Sequence, residues 1–155
     1  MEENKKLVQQ YFEAFITGNT DIFDEIMSPD FYVRGLHVKD MPPAEQRGPE
    51  SFKAATIAWH VSFPDGQVTL DEMVAEGDTV IVRWTFQGTH LGEFAGLAPT
   101  HRQITYSGIN GFRIANGKLA EAWDMWDRLT LWQQLGVLPE TAEFLAQAIG
   151  KKESQ

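Results

Sequence analysis

Residues 104–127 read ITYSGINGFRIANGKLAEAWDMWD, and their patterning decides the fold. Ile104, Tyr106, Phe112 and Ile114 alternate, which marks a strand with one buried face. Gly108 and Asn110 fall on that same face. Asn116-Gly117 is a hairpin signal, and residues 118–127 form the returning strand. Two registers are open. A two-residue loop at Asn116-Gly117 sets Asn110 opposite Trp123. A three-residue loop, Ala115-Asn116-Gly117 with a Gly bulge, sets Asn110 opposite Ala122 and Gly108 opposite Asp124. The second is preferred because it places Gly in its favoured left-handed conformation. It turns Ala120, Ala122, Asp124 and Trp126 inward, and Leu119, Trp123 and Met125 outward.

Upstream, alternation continues. Residues 67–75 form one strand, and Glu76-Gly77-Asp78 turns the chain into a second over 79–90. There Val80, Val82, Trp84 and Phe86 share one side. A Gly-rich loop over 91–100 leads to the strand at 102–114.

The N-terminal part has helical periodicity instead. Leu7, Tyr11, Ala14 and Phe15 predict a helix ended by Gly18-Asn19. Thr20 opens a short helix with Ile22, Phe23 and Ile26, which Ser28-Pro29 ends. Residues 30–37 read as a strand and 39–47 as loop. Gly48-Pro49 opens a third helix, with Phe52, Ala55, Thr56 and Trp59 on one face. Residues 129–135 and 141–149 complete the set. The pattern predicts one α+β domain over 1–150 with a polar tail at 151–155: a curved antiparallel sheet with helices on one face, leaving a cone with an open end.

Composition narrows the function. A net charge of −9 argues against nucleic acid and anionic membrane surfaces. The absence of Cys excludes disulfides, thiol catalysis and Cys-ligated zinc. The charged N-terminus is not a secretory signal, and no apolar run has membrane-spanning length, so a soluble, cytoplasmic protein is expected. Five Trp and ten Phe suit a core, or a cavity for a flat organic ligand.

Chemistry centres on Asp124. A carboxylate on an apolar face is desolvated, which raises its pKa toward the range of a general acid or base at neutral pH. The competing reading is a strand-end Asp paired to Arg128 or Arg113. Asn110 on the same face needs a partner, because burying an amide unpaired costs about 1–3 kcal/mol. Trp59, Trp84 and Trp126 are candidate pocket walls or core. His90 is placed either at the pocket mouth or in a structural hydrogen bond to the Gly-rich loop, and His60 at a helix C-terminus. The four histidines show no HxH or HExxH spacing, which argues against a metal site. Gly-x-Ser-x-Gly and phosphate-loop motifs are absent. The outward row Leu119, Trp123 and Met125 predicts a homodimer interface.

The segments EGDTVIVRWTFQGTHLGEFAGLAPT (76–100) and SGINGFRIANGKLAEAWDMWD (107–127) resemble the SnoaL-like polyketide cyclase and ester cyclase family. That family lies within the nuclear transport factor 2-like superfamily, which includes ketosteroid isomerase. The resemblance implies a cystatin-like α+β barrel with a cone-shaped pocket, and ring closure by intramolecular aldol condensation without metal or organic cofactor. It places the acid–base role on Asp124, in the Trp123-Asp124 pair. Where the family often carries His, this chain has Asn110, and a further polar family position falls on Gly108. Arg34 or His37 would supply a polar pocket residue from the early strand. Three functions stay open: a cyclase-like enzyme acting on a hydrophobic carbonyl compound, a non-catalytic small-molecule binding module, and an epoxide hydrolase or dehydratase on the same fold.

Overall fold

The computed structural model describes residues 1–34 and 47–152. Five strands form one sheet in the order β1-β5-β4-β3-β2. They are β1 (Met27–Arg34), β2 (Gln67–Glu76), β3 (Thr79–Thr89), β4 (Gln103–Ala115) and β5 (Lys118–Trp126). The helices are α1 (Glu2–Thr17), α2 (Ile22–Ile26), α3 (Pro49–Ser62), α4 (Arg128–Gln134) and α5 (Thr141–Lys152). Among the described residues β1 and β2 are the outermost strands and do not pair with each other, so the sheet is open rather than a closed barrel; Arg47 makes a single antiparallel bridge to Tyr32 beside β1. No described helix is long and apolar enough to cross a membrane.

The alternating residues of β3 and β4 form the inner face as their period requires. Val80, Val82, Trp84, Phe86, Ile104, Tyr106, Phe112 and Ile114 are all buried. α1 packs Val8, Tyr11 and Phe12 into the same core, and Phe112 meets the Tyr11 ring at 5.0 Å. Gly18 ends α1 in the left-handed conformation, φ 73°. Pro49 occupies the first turn of α3, where its missing N–H costs nothing.

Two expectations about the edge strand change. Ser28-Pro29 does not separate α2 from a later strand; β1 already begins at Met27. Pro29 is tolerated because β1 is an outermost strand and Pro29 lies between Met27 and Tyr32, where the ladder to β5 shifts register and makes no pair. β1 also pairs parallel to β5, so the sheet is not wholly antiparallel.

The β4–β5 register matches neither sequence alternative. Ala115 pairs with Lys118, so the loop is the two-residue Asn116-Gly117. Both residues have positive φ, 52° and 72°, as a type I′ turn requires. Ile114 then pairs with Leu119, but Arg113 pairs with Glu121. Ala120 is therefore an extra residue in a bulge, and every later pair moves by one. Asn110 ends up directly opposite Asp124, and Gly108 opposite Trp126. The bulge lets Leu119 and Ala122 both point inward, which strict alternation forbids. Leu119 is fully buried, not outward as its parity suggested. Trp123 stays on the outer face and lies over Gly111, where a Cβ would collide with the indole. Met125 is outward and 78% exposed.

Candidate active site

The inner face of β4 and β5 carries Asn110 and Asp124 side by side. Directly opposed residues of an antiparallel pair have Cβ atoms roughly 4.5–5.5 Å apart, so the two side chains share one patch. Burial raises the pKa of Asp124 above the usual aspartate value. The charge of Arg128 and the neighbouring Trp126 indole N–H offset this in part. Arg128 is itself held 4.6 Å over the Trp126 ring. Arg113, the other cation considered as a partner, lies on the opposite face with Glu121 and Asp78.

Asn110 is 8% exposed, and its Oδ1 accepts the Trp84 indole N–H at 2.5 Å. The partner that a buried amide needs is thus a tryptophan on β3. Gly108 makes this possible: a Cβ there would run into the Trp84 ring on one side and Trp126 on the other. Tyr106 joins the aromatic walls, with ring centroids 5.7 Å from Trp84, 5.5 Å from Trp126 and 6.3 Å from Trp59. Tyr11 closes the patch from α1. Burial first, and then the charge of Asp124, push its hydroxyl pKa up, so it stays a neutral phenol. Tyr11 entered the sequence reading only as a helical core position. Its nearness to Asp124 depends on how α1 crosses the sheet.

The remaining candidates separate. Trp59 sits among Phe63, Phe86 and Phe94 at 4.8–5.4 Å, and its buried indole N–H has no hydrogen-bond partner among the described residues. His90 is completely buried. Its Nδ1 accepts the Thr100 N–H at 3.1 Å, and burial lowers its pKa, so it is a neutral tie across the Gly-rich loop rather than a residue at an open mouth. His60 meets the Phe15 carbonyl at 2.6 Å, at the C-terminal end of α1. Arg34 is directed away from Asp124: it is opposite Trp123 in the β1–β5 ladder and ion-paired to Glu121 on the outer face. His37 lies outside the described residues. Of the expected residues, the structure thus brings together Asp124, Asn110, Trp84 and Trp126, adds Tyr11, and leaves Arg34 elsewhere.

A carboxyl group with a raised pKa, an anchored amide and neighbouring aromatic rings are the groups that acid–base chemistry on a flat organic molecule requires. Comparison with known proteins agrees with that class. The family model described as SnoaL-like polyketide cyclase matches residues 5–135. The chain is 31% identical over 144 residues to the aklanonic acid methyl ester cyclase AcmA of Streptomyces galilaeus, covering 91% of this chain and 96% of that protein. It is 30% identical over 125 residues to the nogalonic acid methyl ester cyclase of Streptomyces nogalater, covering 79% and 90%. Among solved structures, TsrD from Streptomyces laurentii superposes with a TM-score of 0.78 at 30% identity, covering 89% of this chain and 98% of that one. The chain belongs to the SnoaL-like polyketide cyclase family. Its relatives are polyketide cyclases, which favours the cyclase reading over the binding-module and hydration alternatives.

Proposed function

We propose that this protein closes a ring in an aromatic polyketide ester by intramolecular aldol condensation, without metal or organic cofactor. The observation that carries the reading is the Asn110–Asp124 pair on the inner face, with the carboxyl pKa raised by burial. Asp124 takes a proton from a carbon made acidic by adjacent carbonyls. That carbon attacks a carbonyl carbon of the same molecule. One C–C bond forms, the C=O π bond opens, and the resulting alkoxide takes the proton back from Asp124. The Asn110 NH₂ donates to an oxygen on which charge develops, and Tyr106 and Trp126 hold the rings. We also infer a homodimer through the outer sheet face, supported by exposed Met125 and Ile109 on adjacent strands.

Aklanonic acid methyl ester, the compound named in the AcmA relative, is the first substrate to test. The expected result is an isomer of unchanged mass and altered chromatographic retention, formed equally well after chelation and dialysis. Quenching of Trp fluorescence without any product would support a binding module instead. A product heavier by one water would support hydration.

A further inference from the structure

We propose that Trp84 is a positioning residue for the reaction: its indole N–H locks the Asn110 side-chain amide so that the NH₂, not the oxygen, is presented to the substrate. This rests on the cyclase reading for the reaction it serves, but the lock itself rests on geometry alone.

Trp84 lies on β3 opposite Gly108, and Asn110 lies two residues further along β4 on the same face. The indole crosses Gly108 and brings Nε1 within 2.5 Å of the Asn110 Oδ1. An indole N–H only donates, so the amide atom that meets it must be the oxygen. The reverse orientation would set two donors against each other. Trp84 is 9% exposed and Asn110 8%, so water is poorly placed to satisfy a flipped amide. With the oxygen turned toward β3, the NH₂ is turned away from β3. The next strand on that side is β5, where Asp124 pairs with Asn110.

The arrangement has a chemical consequence. An unlocked amide could offer its oxygen to the substrate and repel a developing oxyanion. A locked amide offers a fixed donor and needs no reorganisation as charge builds up. Gly108 is part of the device, because any side chain there displaces the indole. Trp84 touches neither proton nor reacting carbon in this scheme. It acts through Asn110.

The test is a cycle of Trp84→Phe, Asn110→Ala and the double variant, read in kcat and KM on the methyl ester. Trp84→Phe should lower kcat roughly tenfold, the scale of one lost hydrogen bond, with KM within about twofold. In the Asn110→Ala background the same change should alter kcat less than about twofold, because the group it positions has gone. Independent losses that multiply in the double variant would mean that Trp84 is merely structural, and would overturn the proposal. A second arm needs no turnover. The Trp84 indole proton, identified by its loss from the NMR spectrum of Trp84→Phe, should resonate downfield and exchange slowly, and should shift upfield in Asn110→Ala. An unmoved resonance would overturn the lock whatever the enzyme does. If the indole shift is found but the wild-type protein does not turn over the ester, the cyclase reading fails for that substrate and the lock stands. Should Trp84→Phe not fold, Gly108→Ala displaces the ring from the opposite side and completes the same cycle.

Discussion

Asp124→Asn exchanges the carboxylate for an amide of almost the same shape, and so separates the proton-transfer role from the shape of the site. Trp84 still anchors Asn110, and Tyr106 and Trp126 still form the walls, so KM should stay within about threefold of wild type. What disappears is the group that takes and returns the proton. General acid–base catalysis is worth about 10²–10⁴ in rate, or about 3–5 kcal/mol of barrier, and kcat should fall by that factor. The same variant tests burial of the charge through stability. The folded-state pKa of Asp124 is raised by desolvation. Its proton therefore contributes stability in full below the unfolded aspartate value of about 3.9, and that contribution is lost as pH rises through the folded value. Asn cannot ionise. The Tm of Asp124→Asn should thus climb relative to wild type from acid toward neutral pH and then stay level. Calorimetry at a series of pH values, with product formation followed by chromatography, covers both halves. Wild-type turnover in Asp124→Asn would remove the acid–base assignment. A Tm difference that falls from acid toward neutral pH would show that Arg128 more than compensates the burial, and the reasoning about desolvation would fail.

Leu119→Ala should cost about 2–5 kcal/mol, since the side chain is fully buried beside the bulge; chemical denaturation measures it, and a cost below about 1 kcal/mol would argue against the inward placement. Met125→Glu places a charge at the centre of the proposed interface. Sedimentation should show a dimer for wild type and a monomer for the variant, and a wild-type monomer at every concentration would remove the interface.

The faces of β3 and β4 were legible in the sequence. Val80 to Phe86 and Ile104 to Ile114 alternate, and period-two alternation is a local property that survives any tertiary arrangement. The same holds for the Asn116-Gly117 turn, whose positive φ angles follow from residue type. Asp124 and Asn110 fell on one face in the sequence only through the three-residue loop; the structure has a two-residue turn instead, and the bulge at Ala120 supplies the same change of parity.

Their direct pairing was not legible. It depends on Ala120, one extra residue in Leu119-Ala120-Glu121, a stretch whose composition carries no mark of a bulge. The bulge exists because Leu119 reaches the core, and because the β1–β5 pairing also shifts at this point, from Met27↔Leu119 to Tyr32↔Glu121. Both causes come from chain distant in sequence. The same reason explains Arg34, which pairs with Glu121 on the outer face because of where β1 docks on β5, not because of its neighbours in the chain. It explains Trp84 as well. Inward placement followed from alternation, but the hydrogen bond to Asn110 required the β3–β4 register and a glycine under the ring. Sequence alone determined which residues of β3 and β4 face the interior, since strand period is local. The tertiary structure alone decided which of them meet, since register is set by hydrogen bonds and burial between segments far apart in the chain.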